Sequence, residues 1–177
     1  MTVGGLLVLP LNPKGPPHPL MADPKLNNGV NAEISPDGRW IAYDSIESGR
    51  KEVYVRPFPD VDKGRWQISS EGGSDPMWSR SGRELFFVGT GNRMTVVPVP
   101  PGSAFTFGKP QPLFDISPYR AVNSGSAVSR PFDISLDGKR FLMVRPVGAA
   151  GPTGANKQSI TVISHWADDV KARMPSK

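Results

Sequence analysis

The sequence predicts an all-β chain, a partial β-propeller of about three four-stranded antiparallel blades ending in a short C-terminal helix. Three observations predict it. A strand–turn–strand pattern repeats three times along the 177 residues. Between the copies fall further short strand-like runs, enough for four strands per repeat. Proline and glycine number 20 and 19, and only 37% of residues are hydrophobic, so turns are frequent, long helices are few and a helical bundle is excluded.

The copies read NAEISPDGRWIAYD from Asn31, SDPMWSRSGRELFFV from Ser74 and RPFDISLDGKRFLMV from Arg130. Registered on Gly38, Gly82 and Gly138, each has a serine three residues earlier (Ser35, Ser79, Ser135), a basic residue next (Arg39, Arg83, Lys139) and then an apolar run. The glycines are 44 and 56 residues apart. Each copy predicts a hairpin in which Asp37-Gly38 or Asp137-Gly138 supplies the positive φ of the turn. In the middle copy Ser81-Gly82 keeps the glycine but lacks the carboxylate, and a looser turn is expected there.

Glu52 to Phe58 and Arg93 to Val99 each read as a strand with a proline near its end, and Leu6 to Leu11 has the same shape. Proline cannot donate to a ladder, so pairing is expected to stop there. His18 to Leu20, Arg65 to Ser69 and Gln111 to Phe114 complete the sets of four. The segments are then 1–28 for the outer strands of an incomplete blade, 29–70 and 71–114 for two whole blades, and 115–130 for an insertion loop. A final hairpin and closing strand occupy 131–164, and helix and tail 165–177. Trp166 to Met174 places acids early and Lys171 and Arg173 late, as the helix dipole favours.

With 21 basic and 16 acidic residues the net charge is +5, but the charges are scattered and do not form the clustered basic surface that nucleic acid requires. The absence of cysteine excludes disulfides and thiolate metal sites. His18 and His165, the only histidines, have no partner ligands at metal-binding spacing, so neither a metal nor a cofactor is expected. The apolar stretch near Met1 is too short for a signal peptide, and no apolar run approaches the ~18 residues that span a bilayer. The chain reads as soluble and cytoplasmic, with a periplasmic parent left open.

At Ser35-Pro36-Asp37-Gly38-Arg39 the sequence resembles the PD40, or WD40-like, repeats of TolB-type β-propellers, whose signature is a strand, S-P-D-G-[RK] and an apolar strand. Ser135-Leu136-Asp137-Gly138-Lys139 departs at the proline, and Ser79-Arg80-Ser81-Gly82-Arg83 lacks both proline and aspartate. The resemblance covers Leu6 onward and implies a bacterial propeller's C-terminal segment. Such propellers commonly stand behind kinase or winged-helix domains, and related ones cap prolyl-oligopeptidase-type hydrolases. It implies a non-catalytic docking module for a protein or peptide, built on a ring of about six or seven blades. Too few blades are present to close one, so self-association that completes the ring is expected.

Turn chemistry is the expectation for Asp37, Gly38, Gly82, Asp137 and Gly138, and packing between blades for Trp40, Trp66, Trp78, Tyr43 and Phe87. The best nucleophile string is Ser48-Gly49-Arg50-Lys51, an S-x-x-K match of the kind found in serine hydrolases and esterases. That chemistry needs the serine at a helix start, whereas these residues fall between two strands. His165 is the histidine such a hydrolase would use. The long loop from Ser117 to Ser129 offers Tyr119, Arg120 and Asn123 as the candidate contact surface, because binding groups concentrate on loops held by rigid scaffolds.

Overall fold

The structure, a computed structural model, describes residues 5–22, 31–119, 130, 132–147 and 157–164. It is all-β, and its strands form four antiparallel sheets. β1 (Gly5–Val8) and β2 (His18–Ala22) pair as a two-stranded sheet. β3 (Ala32–Ile34), β4 (Trp40–Ser45), β5 (Glu52–Pro57) and β6 (Trp66–Gln67) form the first complete sheet in chain order. β7 (Gly73–Trp78), β8 (Glu84–Gly89), β9 (Arg93–Pro98) and β10 (Gln111–Asp115) form the second. The last sheet has three strands, β11 (Phe132–Ile134), β12 (Arg140–Val147) and β13 (Lys157–Ser164), the last two paired over eight positions. This is a partial propeller. The Trp166–Met174 helix lies outside the described residues.

The repeated serine is the key to the turns. In the first copy the Ser35 hydroxyl donates to Asp37 Oδ1 at 2.6 Å while Ser35 Oγ accepts the Trp40 amide at 3.0 Å, and Asp37 Oδ1 accepts the Arg39 amide at 3.2 Å. Gly38, at φ 73°, turns the chain back. Positive φ falls on the three glycines alone within these turns, at 73°, 68° and 67°, and not on Asp37 or Asp137. The Ser135–Asp137 turn repeats the bonding. The middle turn is not opened by the missing carboxylate. Ser81 Oγ stands in for it, 3.0 Å from Ser79 Oγ and 3.3 Å from the Arg83 amide, while Ser79 Oγ still accepts the Glu84 amide. Burial pushes the Asp37 carboxyl up, but the Ser35 hydroxyl and the Arg39 guanidinium and amide outweigh it and hold the pKa below the usual value.

The strand-end prolines do not stop pairing. Pro57 and Pro98 are in register with Trp40 and Glu84, and one residue further on the Phe58 and Val99 amides donate to the Arg39 and Arg83 carbonyls. Backbone groups alternate sides along a strand, so each proline turns its donorless nitrogen away from the inner neighbour and costs no ladder bond there.

The same alternation divides the core. Ala42, Val53 and Val55 of the first sheet meet Trp78, Leu85, Phe87 and Val97 of the second, with Trp40, Trp66 and Phe105 closing one end. From the second sheet's other face Phe86, Val88, Met94 and Val96 meet Phe132, Ile134, Phe141 and Met143 of the last. Tyr43 and Tyr54 face the other way, toward Met21 of β2. Packing between sheets is thus the role of all three repeat tryptophans and of Tyr43 and Phe87.

Candidate functional site

Three polar assemblies tie the sheets together. At the first strands the Arg130 guanidinium lies 2.5 Å from Glu33 Oε2 and 3.0 Å from the Pro76 carbonyl, so one side chain reaches residues 97 and 54 positions earlier in the chain. Three consecutive sheets therefore converge on one guanidinium, as they do near a propeller axis. Trp78 Nε1 adds a bond to the Glu33 carbonyl at 3.2 Å.

The second assembly is centred on Asp44, which is fully buried. It accepts the Asn31 amide at 3.1 Å, Asn31 Nδ2 at 3.1 Å and the Asp75 amide at 3.0 Å, with Lys51 Nζ 3.5 Å away. Asp75 sits at a bulge in β7 with φ 56°, a conformation that aspartate tolerates better than most residues. The third is centred on buried Glu52, which accepts the Gly72 amide, the Ser69 hydroxyl and Arg50 Nε, while Arg50 also donates to the Ser70 carbonyl. These two carboxylates fasten the chain where it leaves one sheet and enters the next.

Sequence reasoning missed both carboxylates and Arg130, although a signal was present. Counted from the turn glycine, Asp44 stands where the other copies have Val88 and Val144. An acid at an apolar repeat position is a request for buried partners.

The Ser48-Gly49-Arg50-Lys51 string lies between two strands, as the sequence reading expects. Ser48 lies in the loop between β4 and β5 with its hydroxyl on the Arg50 carbonyl at 3.2 Å, and Lys51 is directed to Asp44. His165 lies outside the described residues. His18 opens β2 opposite Val8, in the strand expected from His18 to Leu20, and is exposed. Of the loop residues, Tyr119 ends a short 3-10 turn at Ser117–Tyr119 and packs half-buried against the core, while Arg120 and Asn123 fall outside the described residues. Among the described residues there is no group of three histidines or acids placed to hold a metal ion. Nor is any helix among them long and apolar enough to cross a membrane.

Tyr43 is the described group whose pKa departs furthest. Burial pushes the phenol up to about 12; Arg56, whose Nε donates to the hydroxyl at 2.8 Å, opposes the shift, and the Glu47 carboxylate adds to it. A tyrosine in an unfolded chain ionises near ~10. The folded state holds the proton longer, so this contribution to stability is complete below pH ~10 and is lost as pH rises toward about 12. Absorbance at the tyrosinate band should show a late step near pH 12 that Tyr43→Phe removes, and thermal melts should fall through the same window.

One cleft, of about 210 Å³, opens at the turn end between the complete sheets, beside Arg39, Trp40, Arg83 and Phe105. Arg39 is already engaged there by Asp37 and the Gly102 carbonyl. A larger cleft opens at the opposite end of the same two sheets.

No protein-family model matches the sequence, and no curated protein matches it significantly. Solved structures do. A putative 6-phosphogluconolactonase from Bacteroides uniformis aligns over 90% of this chain and 48% of its own at 20% identity, with a TM-score of 0.48. TolB from Acinetobacter baumannii aligns over 85% of this chain at 16% identity, with a TM-score of 0.52. The chain spans about a third of the length of that TolB, 33%, and shares its fold.

Proposed function

We propose that this chain is a non-catalytic docking module of the PD40, TolB-like kind that binds protein, and that its first partner is a second copy of itself. The observation that supports this is Leu142. It stands at the same repeat position as Ala42 and Phe86, which are 0% exposed because the following sheet covers them. Leu142 is 41% exposed, on the last sheet, where no described sheet follows. Leu7 and Leu9, at the other end of the stack, are exposed as well. Apolar positions that a propeller normally buries between blades favour another sheet as the occupant, and a second copy supplies sheets of the same twist and spacing.

Sedimentation equilibrium across a range of concentrations tests this. Wild-type chain is expected at twice the monomer mass, and Leu142→Glu at the monomer mass with an unchanged circular dichroism spectrum. A monomer at every concentration overturns the reading. A partner loop at Tyr119, Arg120 and Asn123 remains the proposed surface for other proteins or peptides.

A further inference from the structure

The two complete sheets differ at one position in a way that opens a site. In the first, Tyr43 on β4 is paired with Tyr54 on β5, and the rings stack 5.7 Å apart. The equivalent pair in the second is Phe87 on β8 and Thr95 on β9. Thr95 presents a methyl and a hydroxyl where the sheet before it has a ring. Here a cleft of about 400 Å³ opens between the second sheet and the segment that enters it from the first. That volume is within the range of small-ligand pockets.

The cleft is chemically specific. Its floor is Phe87 and Thr95, and the rings of Pro110 and Pro112 wall it. Gly89 keeps it open, since a Cβ there would come within 2.8 Å of Thr95 Oγ1. Arg93 and Glu71 both line it and are not paired with each other; Asp115, opposite Arg93 on β10, is the carboxylate that feels the Arg93 charge, without a contact as short as an ion pair. The Thr90 hydroxyl donates to the Glu71 carbonyl and ties the rim to the β8–β9 connection. An apolar floor with a cation and an anion in the lining that are not paired with each other matches a planar ring carrying both a carboxylate and an ammonium group.

We propose that this cleft binds a free aromatic amino acid. The ring enters the space beside Thr95, the carboxylate pairs with the Arg93 guanidinium, and the ammonium pairs with the Glu71 carboxylate. The site lies between the two complete sheets, away from Leu142, so it stands apart from the docking reading.

Calorimetric titration of the full chain with L-phenylalanine is the test, alongside N-acetyl-phenylalanine, phenylalanine amide and a tripeptide ending in phenylalanine. The free amino acid is expected to bind, and each derivative that removes one head charge at least about tenfold more weakly. Arg93→Gln and Glu71→Gln, both at the rim, should each weaken the free amino acid by a similar factor, Arg93→Gln without further effect on the amide. Thr95→Tyr, which restores the ring of the preceding sheet, should abolish binding. No heat from L-phenylalanine at about 10 mM overturns the proposal. So does acetylated or peptide ligand binding as tightly as the free amino acid, or affinity unchanged in both rim variants.

Discussion

Asp44→Ala is expected to destabilise the chain by about 3–5 kcal/mol. The carboxylate is buried, and its loss removes the acceptor for the Asn31 and Asp75 amides and for Asn31 Nδ2 in one step. Asn31 Nδ2 keeps its bond to Asp75 Oδ1, but the buried Asp75 amide loses the Asp44 acceptor, which costs more than the bond itself contributes. The damage should be concentrated where β7 is entered, because the Asp75 amide holds a bulged backbone at positive φ. Urea denaturation should show a lower midpoint at unchanged slope, and hydrogen exchange at the Asn31 and Asp75 amides should accelerate. Asp133→Ala makes the contrast. Its carboxylate is half exposed and 3.9 Å from Arg80, so its removal should change stability by no more than about 1 kcal/mol. Equal losses in the two variants would show that Asp44 does not fasten the sheets.

Trp78→Ala should cost about 3–5 kcal/mol. The indole is almost wholly buried between the two complete sheets, edge-on to Phe105 at 6.5 Å, and its Nε1 bonds the Glu33 carbonyl. Truncation therefore leaves a cavity and removes the side-chain bond to the Glu33 carbonyl at the same interface. The first and second sheets meet through this cluster, so loss of its largest member should separate their unfolding. Calorimetry is expected to show a broadened transition at lower temperature, with Trp78→Phe recovering the packing but not the hydrogen bond. A sharp transition within about 1 kcal/mol of wild type would contradict this account of the interface.

Much of the fold was legible because propeller sheets are local objects. Each strand pairs with its neighbour in the chain, so Ser35, Gly38 and Arg39 and their equivalents mark hairpins whose partners lie a few residues away. The roles of Trp40, Trp66 and Trp78 followed from the same repeat. Two readings failed for lack of geometry. A strand-end proline is compatible with continued pairing when its nitrogen faces outward, and Ser81 could replace a carboxylate only because Ser79 Oγ lay within its reach.

The site residues were less legible, since they are defined by partners far away in the chain. Arg130 serves Glu33 and Pro76, Asp44 serves Asp75, and the cleft beside Thr95 is bounded by the segment containing Glu71. The amino-acid sequence by itself determined the all-β class and the positions of the repeated hairpins, because turn chemistry acts over a few residues. Only the tertiary structure decided which carboxylates are buried, which ring is missing and which leucine is left uncovered. Those properties arise when one sheet is laid on the next, a contact between residues that no local pattern relates.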